Sequence, residues 1–517
     1  MSTEKRLAKS TVIVSLGIMA SRILGFIRDI LFAKFFGTGS AIQAFLMAFT
    51  IPNALREVAA EGAVNTALVP VLADYNVKKG KEEFWRLANV IFNLFFAILL
   101  VIVIVGVLIS PVLVRLIAPG FLKDPDKFAL TVRFTRILFP YILLVGLATI
   151  CMGILNTLKH FITPALGGVV FNAAVIGGML IFYPHVTIMH VVLAVLAGGL
   201  LQLSIQLFPV LRLGPFPDWK AGLRHEGAIK AGKLLLPRLA GASIYEINVI
   251  VNRILASLDF VTGKGAVAAL YYGNRLFQLP LAAFGISLAT TALPAMSSLA
   301  AEKNIEKLKD MISVSLRTML FLTVPAAVGL MVLSKPIIKV LFERGEFDQY
   351  ATAVTSAVLL CYSIGLIAYS SIRILVTAFY SMHDTVTPLR VSFYALFYNI
   401  ALNLILMWPL KAAGLALATS IAGFINLGSL FIRLRKKIGQ FGEKEILESF
   451  MRISGASLIM GFVAFCLMST VNWDNGTIRN TANLLFLIAV SVIVYIGSSF
   501  AFRVREVGSL LSWIKKS

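Results

Sequence analysis

The sequence predicts an all-α polytopic membrane protein of about 14 transmembrane helices, arranged as two parallel six-helix bundles followed by two C-terminal helices. Three observations support this fold class: the apolar composition, the alternation of basic charge between connecting segments, and an internal repeat. Of 517 residues, 58% are hydrophobic and 14% are charged, whereas about a quarter of an ordinary soluble domain is charged. Such a composition favours the bilayer as the solvent of the chain.

Apolar stretches of about 20 residues recur from end to end, and each is long enough to cross about 30 Å of hydrocarbon as a helix. The predicted spans are residues 10–34, 41–72, 84–109, 129–157, 163–183, 187–211, 230–257, 265–299, 311–334, 351–380, 388–409, 412–433, 448–470 and 482–503. The first apolar run contains Arg22, Arg28 and Asp29. We therefore expect a retained first helix rather than a cleaved signal peptide.

The net charge of +22 would suggest a nucleic-acid partner in a soluble protein. Here the basic residues alternate between connecting segments, with clusters such as residues 78–86 and 433–437 on one side and few on the other. The positive-inside rule then predicts an even number of spans and two cytoplasmic termini. The charge is therefore read mainly as a topology signal, and no nucleic-acid partner is expected.

Two landmarks recur at one offset. Pro70 matches Pro294, and Thr163-Pro164 matches Thr387-Pro388, so each proline pair is 224 residues apart. An offset of six helices preserves orientation, which predicts parallel repeats related by an axis along the membrane normal. We expect an N-terminal six-helix lobe at 1–220, a C-terminal six-helix lobe at 221–440, and two further transmembrane helices with an amphipathic C-terminal tail at 441–517.

Several predicted helices contain charges, each of which costs about 2.5–3.5 kcal/mol on insertion scales. These charges and their polar neighbours are Arg22, Arg28 and Asp29 in the first helix; Asn53, Arg56, Glu57 and Glu61 in the second; Glu246 and Arg253 in the seventh; Asn274, Arg275 and Gln278 in the eighth; and Arg373 in the tenth. The first, second, seventh and eighth helices are equivalent pairs in the two halves. Their charges indicate a cavity at the repeat interface.

The arginines in these helices outnumber the nearby carboxylates, which are Asp29, Glu57 and Glu61. A surplus of guanidinium groups suits an anion, and the planar guanidinium fork matches phosphate oxygens. The alternative is that the charges pair with one another or extend to the membrane surface. No cysteine or histidine spacing indicates a disulfide or a metal site.

The polar motifs of the first, second and eighth helices resemble those of a known family. They are Ser21-Arg22-x-x-Gly25-Phe26-x-Arg28-Asp29, Pro52-Asn53-x-x-Arg56 with Glu61-Gly62-Ala63, and Asn274-Arg275-Leu-x-Gln278-Leu-Pro280. Together with the span count, they resemble the MurJ (MviN) lipid II flippases of the multidrug, oligosaccharidyl-lipid and polysaccharide (MOP) exporter superfamily, over essentially the whole chain. The resemblance implies a transporter rather than an enzyme.

The implied cargo is lipid II, the undecaprenyl-diphosphate-linked precursor of peptidoglycan, moved from the cytoplasmic to the periplasmic leaflet by alternating access. The implied substrate-binding residues are Arg22, Arg28, Asp29, Asn53, Arg56, Glu61 and Arg275. The last two helices would form a groove for the polyprenyl tail. The resemblance further implies a multi-pass protein of the bacterial inner membrane that acts in cell-wall biogenesis as a monomer among membrane lipids, with peptidoglycan-synthesis enzymes as further candidate partners.

Some members of this family bind sodium on the seventh, eleventh and twelfth helices. The corresponding residues here are Asn252, Asn399, Asn403 and Thr419, with asparagine where those members carry aspartate. Because hard cations rely on carboxylates, sodium coupling is not favoured. We expect no cofactor, and a drive from the membrane potential, worth about 2.3 kcal/mol per charge per 100 mV, or from an ion gradient.

Other functions are compatible with parts of this pattern. A flippase for another polyprenyl-linked glycan would use the same arginines, whereas an exporter of cationic drugs would favour an acidic cavity. A membrane-embedded polyprenyl-phosphate enzyme would need clustered carboxylates or a histidine-arginine set. A cell-wall scaffold without transport would leave the intramembrane arginines unexplained.

Overall fold

A computed structural model describes residues 3–58, 64–473 and 476–508, with side chains placed for residues 14–57, 67–235, 246–473 and 476–508. The secondary structure of these residues is helical, without a strand. The predicted all-α class is therefore confirmed. The chain divides into two compact units, Met1–Leu258 and Asp259–Ser517.

The first unit is a set of helices joined by short turns. Its helices are α1 (Thr3–Phe36), α2 (Ser40–Ala48), α3 (Thr50–Val58), α4 (Val64–Lys78), α5 (Gly80–Leu108), α6 (Ser110–Ile117), α7 (Pro125–Leu138), α8 (Pro140–Thr157), α9 (Ile162–Ile181), α10 (Ile188–Leu213) and α11 (Glu226–Ala256), with 3-10 turns at Pro119–Lys123 and Trp219–Ala221. Pro140 begins α8, where a missing backbone N–H costs nothing. The core of this unit lies between α4, α5, α8 and α10.

The segment between α10 and α11 is fixed to α5 by two buried asparagines. The Asn89 amide donates to the Pro215 carbonyl and accepts from the Asp218 N–H, both at 2.8 Å. Asn93 donates to the Asp218 carbonyl at 2.9 Å. These bonds hold the segment that leads into α11 against α5. Helix α11 then packs against α3, α4, α5 and α6.

The second unit contains α12 (Asp259–Thr262), α13 (Ala266–Pro280), a π-helical segment (Leu281–Ile286), α14 (Ser287–Ala301), α15 (Ile305–Val332), α16 (Ser334–Phe342), α17 (Gln349–Ser381), α18 (Val386–Ile438), α19 (Glu443–Thr470) and α20 (Thr477–Ala501). Its core is formed mainly by α14, α15, α17, α18 and α19. Tyr495 of α20 donates to the Phe321 carbonyl of α15 at 2.7 Å. The last two helices are thus attached to α15.

The long helix α18 is broken at Lys411, whose φ is 54°. Pro409 precedes the break and cannot donate to the carbonyl one turn earlier. A Cβ on Gly414 would lie 2.1 Å from the Leu406 carbonyl oxygen, so the two arms approach each other through a residue without a side chain. The predicted boundary between spans 388–409 and 412–433 coincides with this break.

Every predicted span overlaps a helix of the structure. In the described residues, ten helical stretches are long and apolar enough to cross a membrane. One of them, Val386–Ile438, covers two predicted spans. The total of 14 crossings remains a prediction.

Helix boundaries follow the repeat offset seen in the sequence. The first residues of α9 and α18, Ile162 and Val386, differ by 224, as do those of α7 and α17, Pro125 and Gln349. Helices α7 and α17 are also capped alike, because Asp124 and Asp348 each accept a backbone N–H of the first turn. The lobe boundaries at 220 and 440 remain predictions. Helix α11 corresponds to α1 at the repeat offset, yet its contacts group it with the first unit.

The turn between α17 and α18 is held by Asp384. Its carboxylate accepts from the Thr387 N–H and hydroxyl, and Lys437 donates to it at 2.6 Å. Burial raises the pKa of the Asp384 carboxyl, but the bonds from Lys437 and Thr387 outweigh burial, so its pKa lies below the ordinary value of 3.8. The folded protein therefore stabilises the ionised form of the Asp384 carboxyl.

We predict that Asp384→Asn lowers the thermal unfolding temperature at pH 7, with a loss of stability below about 1 kcal/mol because Lys437 is partly exposed. A lowered folded pKa contributes stability above the unfolded pKa of about 3.9 and loses it as pH falls through the folded value. The difference between wild type and variant should therefore close below about pH 4. Asp310→Asn, at an exposed carboxylate, is the control; a difference that persists at low pH would contradict the prediction.

Candidate functional site

The guanidinium of Arg28 is bound on two sides within the first unit. Its Nε and Nη2 donate to Oδ1 of Asp29 at 3.1 and 2.8 Å, and its Nη1 donates to Oδ1 of Asn172 at 3.0 Å. Asp29 is fully buried, whereas 15% of the Arg28 side chain is exposed. The site therefore places an ion pair inside the helix packing, with a small part of the Arg28 side chain exposed.

Asn172 reaches Arg28 because α1 and α9 pack closely. A Cβ on Gly168 would lie 2.4 Å from the Ser21 hydroxyl, so glycine at this position leaves room for the Ser21 side chain. The Asn172 amide donates to the carbonyls of Ser21 at 3.1 Å and Gly168 at 2.9 Å. With both donors used, its oxygen is directed to Arg28.

A second cluster lies on α3. The Asn53 amide donates to Oε1 of Glu57 at 2.9 Å and accepts from Nε and Nη2 of Arg56 at 3.2 and 3.0 Å. Arg56 Nη2 also contacts Glu57 Oε1 at 3.2 Å. Positions i, i+3 and i+4 share one face of a helix, which explains why these three residues meet. In the described part of the chain, Arg56 Nη1 has no acceptor.

Arg22 is the exposed member of the predicted set, and it forms no ion pair or hydrogen bond within the described residues. Glu61 lies outside the described residues. Arg275 lies on α13 in the second unit, partly exposed, with contacts of its own. The structure thus brings Arg28 and Asp29 together, and Asn53 and Arg56 together.

The alternative of mutual pairing holds for Arg28 with Asp29 and for Arg56 with Glu57. Within the described residues it does not hold for Arg22. Pairing with Asn53 and Glu57 uses only some of the five donors of the Arg56 guanidinium. Arg56 is 35% exposed and keeps Nη1 available to a ligand.

The candidate ion-site residues of the second unit form an amide cluster joined by hydrogen bonds. Asn403 donates to Asn399 at 2.8 Å, Asn399 donates to Thr419 Oγ1 at 3.3 Å, and both asparagines are fully buried. The Thr419 hydroxyl in turn donates to the Leu415 carbonyl at 2.9 Å. Asn252 belongs to the first unit, where its amide donates to Asn248 at 3.0 Å. Among the described residues, no group of three or more His, Cys, Asp or Glu side chains could hold a metal.

Sequence reasoning missed Asn172, which binds Arg28, and Thr50, whose hydroxyl accepts from Nη1 of Arg253 at 2.8 Å beside the α3 cluster. A lone asparagine in the apolar span 163–183 was the available signal for Asn172, since an unpaired amide in hydrocarbon is costly. Thr50 gave no signal, because a threonine in a helix usually bonds its own backbone, as Thr50 does to Leu46 at 2.9 Å.

A model of the family described as lipid II flippase MurJ matches residues 32–486. The chain belongs to the MurJ lipid II flippase family. Among similar proteins, a probable lipid II flippase MurJ from Vibrio cholerae serotype O1 is 32% identical and covers 98% of both chains. Another from Rhizobium tropici is 33% identical and covers 99% of this chain and 97% of its own length.

Solved structures agree with this assignment. A lipid II flippase MurJ in an inward closed conformation matches with a TM-score of 0.79 at 29% identity, covering 95% of this chain and 98% of its own. An inward-facing MATE transporter of the MOP superfamily matches at 16% identity with a TM-score of 0.67, over 84% of this chain and 99% of its own, and shows a shared fold. The expected family, membrane-spanning fold and transporter class are confirmed, and the enzyme alternative is set aside.

We predict that Asn172→Leu lowers stability by about 0.6–1.7 kcal/mol, the range for interhelical hydrogen bonds in membranes, and also slows transport because Arg28 loses its orientation. Arg28→Lys should weaken the same contact. The double variant should therefore cost less than the two single changes combined. Thermal unfolding and transport in vesicles provide the measurements, and strict additivity would argue against a shared contact.

Proposed function

We propose that this protein flips lipid II across the bacterial inner membrane, from the cytoplasmic to the periplasmic leaflet. Its relatives carry the name lipid II flippase MurJ over nearly their whole length. The observation that supports a diphosphate site is the set of arginines on α1 and α3. Arg22 has no protein partner in the described residues, and Nη1 of Arg56 has no acceptor there.

The ion pairs of Arg28 with Asp29 and of Arg56 with Glu57 suit a site that must bind and release its ligand repeatedly. A buried guanidinium without a partner costs several kcal/mol, so Asp29 and Glu57 stabilise the empty state. A diphosphate carries more charge than one carboxylate and accepts bidentate bonds, which lets it bind the donors that remain. Arg22 and Nη1 of Arg56 are the groups proposed to meet it first.

Transport requires two states that differ in affinity for the diphosphate, which we propose are exchanged by alternating access. Arg275 of the second unit is included in this proposal because of its sequence motif alone. The polyprenyl tail is proposed to remain in lipid along α19 and α20. These helices expose large apolar side chains that suit an acyl environment, including Leu458, Phe462, Phe465, Leu485, Phe486 and Ile493.

The proposed topology has both termini in the cytoplasm, as the basic connecting segments indicate. The protein would act as a monomer, with lipid II and membrane lipids as its partners and with peptidoglycan-synthesis enzymes supplying or using the cargo. In this proposal the membrane potential drives the cycle. The amide cluster of Asn399 and Asn403 offers no carboxylate for sodium, and its hydrogen bonds are largely internal.

We predict that alanine at Arg28, Arg56 or Arg275 lowers the transport rate by about 10- to 150-fold, the factor for losing a hydrogen bond to a charged group. The measurement is movement of labelled lipid II in vesicles containing equal amounts of folded protein. Arg115→Ala removes an exposed arginine of α6 and is the matched control. Wild-type rates in all three site variants would refute the diphosphate site.

We further predict that replacing sodium by choline changes the transport rate less than 2-fold, whereas dissipating the membrane potential lowers it several-fold. The reason is that a charged site moving in the field gains energy, while neutral amides bind sodium weakly. Vesicles with imposed potassium diffusion potentials separate the two drives. A strict requirement for sodium would show that the amide cluster, or another site, binds the ion.

A further inference from the structure

Arg253 is an intramembrane arginine that the proposed diphosphate site does not include. It lies in the last turn of α11, and its Nη1 donates to Oγ1 of Thr50 at 2.8 Å across 203 residues of sequence. At the repeat offset of 224 residues its counterpart is Asp29, a residue of the candidate site. An arginine in a membrane helix calls for a reason, and this contact with α3 provides one.

Thr50 occupies the junction between α2 and α3. Helix α2 ends at Ala48, Phe49 lies between the helices, and Thr50 begins α3. Pro52 supplies no N–H to the carbonyl of Ala48, so the junction lacks one helical hydrogen bond. The direction of α3 therefore depends on contacts made by the junction.

Two contacts hold this junction, one made by Phe49 and the other by Thr50. The ring of Phe49 packs on Tyr141 of α8, with centroids 5.5 Å apart. The hydroxyl of Thr50, which is 2% exposed, donates to Leu46 and accepts from Arg253. The second contact joins the break to α11, which packs directly on α3.

The same turn of α11 is anchored independently. Ser257 accepts from the Gly120 N–H at 3.3 Å, and a Cβ on Gly120 would lie 1.9 Å from the Ser257 carbonyl oxygen. The end of α11 is thus seated on the 3-10 turn at Pro119–Lys123. Arg253 projects from a fixed point, which allows it to set the position of α3.

We propose that Arg253 is a positioning residue for the diphosphate site. Through Thr50 it fixes the α2–α3 junction, and with it the direction of the helix that carries Asn53, Arg56 and Glu57. This inference rests on the proposed function, since it takes Arg56 as a ligand of the diphosphate. Arg253 acts on the substrate through α3.

The test compares apparent KM and maximal rate for lipid II transport in vesicles. Thr50→Val removes the acceptor at nearly constant shape, Thr50→Ser retains it as the conservative rescue, and Arg253→Met removes the donor. Thr323→Val removes a buried hydroxyl that donates within its own helix to the Met319 carbonyl, and it serves as the matched control. Thermal unfolding of each purified variant shows whether the fold is retained.

We expect Thr50→Val to raise the apparent KM by about 3- to 20-fold, the factor corresponding to one interhelical hydrogen bond in a membrane. Arg253→Met should do the same, the double variant should be no worse than either change, and Thr50→Ser should restore the wild-type KM. A wild-type KM in Thr50→Val, additive effects, or an equal rise in Thr323→Val would overturn the proposal. Failure of the proposed function is distinguished by Arg56→Ala, which would then transport at the wild-type rate.

Discussion

The constraint on which the first unit depends is the need to keep a guanidinium charge satisfied inside apolar helix packing. Arg28 meets it with a carboxylate from its own helix and an amide from α9. Close packing of α9 on α1, where Gly168 leaves room for the Ser21 side chain, brings that amide to Arg28. An unsatisfied buried arginine would cost several kcal/mol, so the helix contact and the charge pair stabilise each other.

The clusters on α1 and α3 share one design. In each, an arginine is followed directly by a carboxylate, Arg28-Asp29 and Arg56-Glu57, and an asparagine also accepts from the guanidinium. Neighbouring residues on a helix point in different directions, and the partners of Arg56 bind its Nε and Nη2. The charge is compensated while the site is empty, and Nη1 of Arg56 remains available to an anion. This combination suits a carrier that must release its cargo.

In the second unit, the buried polar side chains of the amide cluster are uncharged. Asn399, Asn403 and Thr419 lie on the two arms of α18, which meet because the chain reverses at Lys411. Amides are easier to bury than carboxylates, and their mutual hydrogen bonds make the cluster part of the packing. The cost is a weaker attraction for hard cations, which is why the membrane potential is the proposed drive.

The sequence by itself determined the all-α membrane fold, the position of nearly every helix, the 224-residue repeat and the charged residues of α1 and α3. These features depend on hydrophobicity and length within one segment, and a local pattern records them. Tertiary structure alone decided that Asn172 binds Arg28 across 144 residues, that Arg253 binds Thr50 across 203, and that α11 packs with the first unit. Such contacts depend on how closely two backbones approach, which is set by glycines and helix breaks acting together over the whole unit.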